Sequence, residues 1–303
     1  MAVETFESIK DALSESLERS EGLLDPLAEP VQKAITSAFE AGGETGRRVK
    51  TFLNGTWLGH PLHPVLTDVP IGAWTSALFL DLLGFKRAAD AAVGLGIAGA
   101  LPTAMAGAAD WSDFVGQPRK VGLTHAVINS LALTSYVGSL VARRRGNRGV
   151  GVALSTLGWM AMACGAWLGG ELVYRLGVIV DRTAFDPETD EFRVAARADE
   201  LVEGELKAGE IDVDGVKVPI ILLKRGDQLW ALHGRCSHLG GPLAEGKVLN
   251  GDCVVCPWHG STFRMSDGAV VRGPSAFPQP CYEARIRDGN VEVRLAPGSF
   301  KHN

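Results

Sequence analysis

Two short stretches in the last third of the chain each combine one cysteine with one histidine. "GRCSHLGGPL" at 234–243 contains Cys236 and His238, and "CPWHGSTF" at 256–263 contains Cys256 and His259. The chain has only five cysteines and seven histidines among its 303 residues, so ordinary structural residues would not be expected to repeat this pairing. Thiolates and imidazoles are both metal ligands. The spacing therefore predicts a metal centre built from two loops.

The donor types favour one kind of metal centre over another. A zinc ribbon would require C-x-x-C twice, or a helix with two histidines. Cys253 and Cys256 form one C-x-x-C, so zinc stays as an alternative. One sulfur and one nitrogen from each loop suit a two-iron cluster, in which the cysteines hold one iron and the histidines hold the other. Gly240, Gly241 and Gly260 would let backbone amides approach the bridging sulfides.

The residues around these loops alternate with the period of two that is typical of strands. "KVPIILLKRGDQLWALHG" at 217–234 reads as a strand, a Gly-Asp turn and a second strand, and "NVEVRL" at 290–295 reads as another. The sequence therefore predicts a small all-β domain over residues 192–296, followed by a tail over 297–303. The two ligand loops connect strands of this domain.

The β domain resembles a Rieske [2Fe-2S] domain. The resemblance depends on C-x-H, on "CPWHG" at 256–260, and on "GPSAFPQPCY" at 273–282, which is similar to the proline loop that covers the cluster in that family. It implies a [2Fe-2S] cluster with Cys236 and Cys256 on one iron and His238 and His259 on the other. The implied surrounding residues are Gly240, Gly241, Trp258, Gly260, Ser261 and Phe263.

The chain also departs from the respiratory members of that family. Those proteins carry a further cysteine in each loop, joined as a disulfide, at positions that correspond to Gly241 and Trp258 here. They also carry a tyrosine where this chain has Phe263, although Ser261 remains to donate a hydroxyl. Fewer hydrogen bonds to the sulfurs stabilise the reduced cluster less, so we expect a potential towards the lower end of the range of about −150 to +300 mV. The domain resembles the ferredoxin type.

Four apolar segments follow one another between residues 60 and 178, over 65–85, 90–109, 122–142 and 149–170. Each is close to the about 20 residues that cross a bilayer as a helix. Small residues recur at four-residue spacing, as in Gly94 and Ala98, which lets helices approach closely in lipid. The predicted fold class is therefore multi-domain: a transmembrane four-helix bundle over 57–178 and a small all-β domain, joined by a polar linker over 179–191.

The apolar region also resembles a bacterial family of predicted four-helix membrane proteins of unknown function. The resemblance depends on "HPLHP" at 60–64, on the Asp and Pro of "TDVPIG" at 67–72, and on "LFLDLLG" at 78–84. It implies a fold and no activity. Before this region, residues 1–56 are predicted to form an amphipathic helical segment, with a second short helix over 31–39. The apolar positions of its first helix are Val3, Phe6, Ile9, Leu13 and Leu17.

The predicted bundle contains ionisable groups that are costly in lipid: Asp68, Asp81, Asp110 and His125. Because the first and third helices start from the same side, His60 and His63 are expected at the same membrane face as His125, with Asp110 beside them. Together the three histidines, His60, His63 and His125, and the carboxylate of Asp110 could hold a haem or a metal, or bind a quinone head group. The alternative is that Pro61 and Pro64 shape the start of the helix while the histidines cap backbone groups.

Composition and charge limit the setting. A net charge of −5 and the lack of a basic patch argue against nucleic acid as a partner. Four crossings place both termini on one side of a cell membrane. The cluster "RRRGNR" at 143–148 favours the cytoplasm for its own side, whereas the missing export signal and missing disulfide favour the cytoplasm for the termini and the β domain. We predict the second orientation.

The leading functional hypothesis is a membrane-anchored carrier of single electrons that meets a redox partner protein or a quinone. One alternative is a subunit of a quinone- or haem-linked oxidoreductase, and another is a non-enzymatic redox sensor. An oxygenase is disfavoured because no site of two histidines and one carboxylate follows the β domain. The oligomeric state stays open, a homo-oligomer included.

Overall fold

The computed structural model describes residues 21–249 and 252–299, and the chain divides into two units. Within these ranges the helical unit contains residues 21–47 and 62–178, and the β unit contains residues 48–61, 179–249 and 252–299. Residues 48–61 thus group with the β unit, and the predicted domain bounds, that at 56/57 included, stay predictions. The predicted amphipathic helix with Val3 to Leu17 lies outside the described residues.

Six α-helices form within the described ranges. They are α1 (Glu21–Ala41), α2 (Gly43–Leu53), α3 (Leu62–Leu82), α4 (Lys86–Trp111), α5 (Gln117–Arg144) and α6 (Arg148–Gly170), and a π-helical turn, Glu171–Arg175, continues α6. The side-chain amide of Gln32 in α1 donates to the carbonyls of Trp111 (2.9 Å) and Phe114 (2.8 Å) at the end of α4. The first described helix is thus docked on the helical unit.

Helices α3 to α6 are each long and apolar enough to cross a membrane. Many small side chains are buried between them, beside a few large ones such as Trp74 and Tyr136, while many large apolar side chains point outward and are more than half exposed. A helix bundle in water shows the opposite distribution, because burial of large apolar groups drives its folding. The prediction of four long apolar helices is confirmed. The buried small residues include Ala77, Ala89, Ala106 and Ala132, and the exposed large ones include Phe79, Leu95, Leu131 and Leu157.

The helical unit contains an internal repeat that the sequence analysis missed. Helices α3 and α4 form one tightly packed hairpin, and α5 and α6 form another. Asp81 and Arg143 are separated by 62 residues and bind each other, and the same offset relates Trp74 to Tyr136, whose rings stack at 4.0 Å between centroids and 7°. Equivalent residues therefore meet across an approximate two-fold axis that runs along the bundle.

Glycines support the same repeat. A Cβ atom added to Gly96 would lie 2.2 Å from the indole nitrogen of Trp74, and one added to Gly158 would lie 2.9 Å from the ring of Tyr136. These two glycines are again related by the same offset. Each aromatic ring therefore packs against a glycine of the partner helix in its own hairpin, in a seat that only glycine leaves open.

Where the two hairpin turns meet, two arginines and two aspartates form an ionic network around one buried pair. The side chains of Arg143 and Asp81 are 1% and 3% exposed and form an ion pair. Arg143 also donates to Asp90 (2.9 Å), and Arg148 donates to Asp81 (2.6 Å) and to Asp90 (3.0 Å). Two serine hydroxyls complete the bonding of the Arg143 guanidinium, each at 3.0 Å. The charge of Asp81 is therefore compensated by Arg143 and Arg148 at this end of the bundle.

The β unit contains two antiparallel sheets in its described residues. The strands are β1 (Arg193–Arg197), β2 (Leu206–Val213), β3 (Val216–Arg225), β4 (Gln228–His233), β5 (Lys247–Leu249), β6 (Cys253–Val255), β7 (Thr262–Arg264), β8 (Val270–Arg272), β9 (Cys281–Arg287) and β10 (Asn290–Leu295). One sheet has the order β1-β10-β9-β4-β3-β2, and the other has the order β5-β6-β7-β8. The all-β prediction is confirmed, and the predicted Gly-Asp turn joins β3 to β4.

Strand β3 of the larger sheet, next to its edge strand β2, separates two hydrophobic cores. Ile220 and Leu222 pack into one core, while Ile221 and Leu223 point to the opposite face and pack into the other. This follows from the period of two in strands, which sends successive side chains to opposite faces. The second core also contains Cys236, Cys256 and Phe263, so the larger sheet forms the floor beneath the two ligand loops.

Residues 179–191, for which the sequence predicts a linker, contact the β unit. The amide of Arg182 donates to the carbonyl of Ser237 at 3.0 Å. The Asp186 carboxylate lies 2.9 Å from Nε2 of His233, and this hydrogen bond holds the pKa of Asp186 below its usual value. This part of the chain therefore extends the β unit instead of running free of it.

Candidate metal centre

The two ligand loops have the same backbone fold. In the first loop, which connects β4 to β5, the amide of Cys236 donates to Gly241 O (2.8 Å) and its carbonyl accepts from the amide of Gly240 (2.9 Å). In the second loop, between β6 and β7, Cys256 makes the same two bonds with Ser261 (2.8 Å) and Gly260 (3.1 Å). Both Gly240 and Gly260 have φ near +80°, which glycine adopts without steric cost. In the structure these two glycines close the loops; their predicted role in the approach of backbone amides to the sulfides stays a prediction.

The two cysteine side chains are buried and lie within hydrogen-bonding distance of each other. Their hydrogen bond lowers the pKa of Cys256 to about 6 and raises the pKa of Cys236. Backbone amides of His238 and Leu239 also bond to the sulfur of Cys236, and those of Trp258 and His259 bond to the sulfur of Cys256. These amides favour negative charge on sulfur, so they would support both cysteines as thiolate ligands once a cation displaces the shared proton.

The two imidazoles form a second pair. The ring centroids of His238 and His259 are 5.2 Å apart, and the planes are nearly perpendicular at 85°. His238 is buried, and its Nδ1 has no hydrogen-bond partner among the described residues. Burial, aided by the charges of His259, Lys50 and Arg182, lowers the pKa of His238 to about 3, so the ring is neutral. An orphaned buried nitrogen with a lone pair is the chemistry of a metal ligand.

The separation of the rings also fits a shared metal. A metal lies about 2 Å from an imidazole nitrogen, and two rings that occupy two corners of a tetrahedron around it then have centroids about 5 Å apart. The observed separation is 5.2 Å. The thiol pair and the imidazole pair thus correspond to the two halves of the donor set that the sequence predicts.

Gly241 and Trp258, which correspond to the disulfide-forming cysteines of the respiratory family members, lie in contact with each other. A Cβ atom added to Gly241 would be 2.9 Å from the sulfur of Cys256 and 3.1 Å from the indole of Trp258. Only glycine therefore fits at position 241 with Trp258 in its present place. Trp258 is 57% exposed and stands edge-on to the ring of His259, with centroids 6.3 Å apart. Trp258 and His259 form the open edge of the centre.

Ser261 and Phe263 are both fully buried beside the cysteines. The amide of Ser275 donates to the hydroxyl oxygen of Ser261 at 3.0 Å. Because that oxygen is used as an acceptor, the hydroxyl hydrogen remains available for a further bond; that it is donated to the cluster stays a prediction. Phe263 packs without any polar group in the same core.

A buried polar network, which the sequence analysis did not identify, joins the first ligand loop to the proline loop at 273–282. The hydroxyls of Ser237 and Ser275 are 2.9 Å apart, and Gln279 accepts from the amide of Ser237 at 3.1 Å. The Gln279 amide group also donates to the carbonyl of His233 at 2.9 Å. Thr56 adds a bond to Ser275 O at 3.0 Å. The polar residues within "CSH" and "GPSAFPQP" could have indicated this network from the sequence, because the backbone groups of a buried loop need hydrogen-bond partners.

The structure brings together only some of the residues that were proposed for a site in the bundle. His63 and His125 face each other, with ring centroids 6.2 Å apart and an angle of 81° between the planes. His60 is exposed and belongs to the β unit. Asp110 is buried near the end of α4, and Asp68 on α3 is exposed. Of the four residues predicted to form this site, only His63 and His125 are therefore shown to lie in contact with each other.

Comparison with known proteins identifies both parts of the chain. The Rieske [2Fe-2S] domain model matches residues 191–283, and the model of a predicted membrane protein family, DUF2231, matches residues 59–182. The anthranilate 1,2-dioxygenase ferredoxin subunit of Burkholderia cepacia is 41% identical over 97 residues, which are 32% of this chain and 85% of that protein. Ferredoxin CarAc of Metapseudomonas resinovorans is 33% identical over 75 residues, or 25% of this chain and 69% of that protein.

Among solved structures, the ferredoxin of carbazole 1,9a-dioxygenase from Nocardioides aromaticivorans IC177 matches with 25% identity and a TM-score of 0.31, covering 35% of this chain and 100% of that chain. The family match spans both ligand loops, and the relationship to the Burkholderia subunit extends over most of that protein. The chain therefore belongs to the Rieske [2Fe-2S] family, with its Rieske domain joined to a DUF2231 predicted membrane domain.

Proposed function

We propose that the chain is a membrane-anchored electron-transfer protein that carries one electron at a time on a [2Fe-2S] cluster. Cys236 and Cys256 would hold one iron, and His238 and His259 would hold the other. The observation that carries this proposal is the pairing of two amide-bonded thiols with two imidazoles, one of which has an orphaned Nδ1 in a buried site. When bound, such a cluster supplies reversible one-electron chemistry at a potential that its surroundings set.

The residues of the chain divide the remaining work. Backbone amides in the two loops hold negative charge on the cysteine sulfurs, which stabilises the reduced state. The proline loop and its network with Ser237 and Gln279 keep water away from the first loop. His238 is buried, whereas His259 is partly exposed beside the exposed ring of Trp258. We therefore assign the edge formed by His259 and Trp258 as the contact surface for the electron-exchange partner.

The partner is proposed to be another redox protein. The two relatives described above are named as ferredoxins, one of them as a subunit of a dioxygenase, and this supports exchange with a soluble or membrane-bound oxidoreductase. The alternatives of a quinone- or haem-linked oxidoreductase subunit and of a redox sensor stay predictions, as does a homo-oligomer.

Anchoring in a bilayer is supported by the four long apolar helices and by the DUF2231 match. The side of the membrane on which the Rieske domain lies stays a prediction, and one observation favours the cytoplasm. Two arginines of the "RRRGNR" cluster, Arg143 and Arg148, bind Asp81 and Asp90. These two charges are neutralised inside the bundle, so the cluster has less weight in the positive-inside comparison that favoured the opposite orientation.

The test of the proposed function is electron paramagnetic resonance of the full-length protein in detergent, before and after reduction with dithionite. We expect a signal only after reduction, with an average g value below that of the free electron, together with two irons per chain. One zinc per chain without a reducible signal would instead establish the alternative in which Cys253 and Cys256 contribute to a zinc site.

Replacing Ser261 with alanine is expected to lower the midpoint potential of the cluster. The substitution removes a buried hydroxyl that we propose to donate to the cluster, and one hydrogen bond to a charged group corresponds to about 60 mV or more for a one-electron couple. Potentiometric titration followed by absorbance measures the shift. Ser266, an exposed serine on the same β unit, gives the matched control: S266A should leave the potential unchanged, and an equal shift in both variants would contradict the role of Ser261.

A further inference from the structure

His63 on α3 and His125 on α5 occupy equivalent positions in the internal repeat. They have the same offset as the pairs Trp74 with Tyr136 and Asp81 with Arg143. Like those pairs, they meet each other, with ring centroids 6.2 Å apart. The pair therefore lies on the approximate two-fold axis, at the end of the bundle opposite to the ionic network.

Both rings are held in the same way by the second helix of their own hairpin. Nδ1 of His63 is 2.9 Å from the carbonyl oxygen of Thr103, and Nδ1 of His125 is 2.8 Å from that of Gly165. A carbonyl oxygen can only accept a hydrogen bond, so Nδ1 carries the hydrogen in each ring. The lone pair is then on Nε2 in both rings, and that of His125 lies 3.4 Å from the side-chain nitrogen of Asn129. A backbone carbonyl on the distal nitrogen is the usual support of a histidine that binds metal.

A glycine lies against each ring, one helical turn after these carbonyls. A Cβ atom added to Gly107 would lie 2.8 Å from Cε1 of His63, which is closer than real side chains pack, whereas one added to Gly169 would lie 3.4 Å from Cε1 of His125, an ordinary van der Waals contact. The ring of His63 therefore requires glycine at position 107, and the hydrogen bond and this close contact together determine where that ring lies.

We propose that His63 and His125 form a bis-imidazole site for a transition metal on the two-fold axis of the helical unit. A metal about 2 Å from each nitrogen places two rings on its opposite sides with centroids about 6 Å apart, and the observed distance is 6.2 Å with the planes at 81°. In the described part of the chain, no third His, Cys, Asp or Glu joins them in a cluster. Two imidazoles on opposite sides suit the iron of a haem, or a free metal ion whose other positions are filled by water.

The experiment uses the full-length protein, purified from membranes in detergent. Absorption spectra before and after reduction, together with iron, copper and zinc per chain by mass spectrometry, distinguish the two sources of metal. Haem would give a Soret band with sharp reduced bands, and a free ion would give about one further metal per chain without them. Titration with hemin, copper or zinc tests whether metal lost during purification can return. No metal beyond the cluster and no saturable one-to-one binding would overturn the proposal.

The matched variants are glycine substitutions in one helix. Gly107→Ala pushes on the ring of His63, whereas a Cβ atom at Gly94, also in α4, meets nothing within 4 Å. We expect G107A to lower metal occupancy at least tenfold and G94A to leave it unchanged, while both keep the thermal unfolding temperature of the parent. His63→Ala and His125→Ala should each abolish binding, and exposed His60→Ala should not. Equal occupancy in G107A and G94A would overturn the site.

The signal of the reduced [2Fe-2S] cluster is expected to be the same in all these variants. A protein that lacks that signal but binds metal at the bundle would contradict the proposed function and leave this site standing. A protein that shows the cluster signal but binds no metal at the bundle would support the proposed function and contradict the bis-imidazole site.

Discussion

Replacing Cys256 with serine is expected to remove the cluster, and with it the reduced resonance signal, the visible bands and both irons. The sulfur of Cys256 is buried, its pKa is lowered to about 6, and it receives hydrogen bonds from two backbone amides. Serine keeps the size of the side chain, but its hydroxyl is neither a soft ligand nor ionised near neutral pH. Iron content and resonance of the purified full-length variant measure the loss.

The matched control is Cys253→Ser. Cys253 is only three residues earlier, but it lies on strand β6 instead of in the ligand loop, and burial raises the pKa of its thiol. We expect C253S to keep two irons per chain. The comparison also decides between the two kinds of metal centre: a zinc site built on the C-x-x-C of Cys253 and Cys256 would lose its metal in both variants, and that result would contradict the proposed ligand set.

Replacing Arg143 with leucine is expected to destabilise the helical unit by about 3–5 kcal/mol, the usual cost of removing one partner from a buried ion pair. The variant leaves the carboxylates of Asp81 and Asp90 with one guanidinium, that of Arg148, between them. Arg148 is itself partly exposed, so it cannot compensate fully for the lost charge. Thermal or denaturant unfolding in detergent, followed by circular dichroism, measures the change.

Arg144→Leu is the control for this prediction, because Arg144 is the next residue and is exposed. A double variant gives a second check. If the ionic network acts as a unit, Asp81→Leu combined with Arg143→Leu should cost less than the sum of the two single variants, since it removes the uncompensated charge together with its partner. Equal destabilisation by R143L and R144L would show that the network contributes nothing specific to stability.

Local spacing was sufficient to predict the two ligand loops and the four long helices. Cys236 and His238 lie within one loop, and the same is true of Cys256 and His259, so their relation is visible in a few adjacent letters. The helices follow from apolar runs of sufficient length, and the observed bounds differ from the predicted ones by a few residues. Both features depend on neighbours in the chain, which a sequence shows directly.

Contacts between distant segments were not predictable in the same way. The sequence shows that Asp81 is costly in lipid, but its partners Arg143 and Arg148 come from a cluster that composition assigns to a loop and to membrane orientation. Likewise, the hydrogen bond from Thr56 to Ser275 connects residues that are 219 positions apart in the chain. Pairing of this kind depends on how the elements pack, and no periodicity within either segment carries that information.

The internal repeat has a consequence for how the helical unit arose. Two identical hairpins that associate about a two-fold axis must meet themselves on that axis, so an aspartate at position 81 would face its own copy and repel it. Joining the two hairpins in one gene lifts that constraint, because each copy can then change alone. The two halves differ in this way at Asp81 and Arg143, where opposite charges attract, and at Trp74 and Tyr136. At His63 and His125 both halves carry the same residue, which is the arrangement expected where one shared task requires two equal halves.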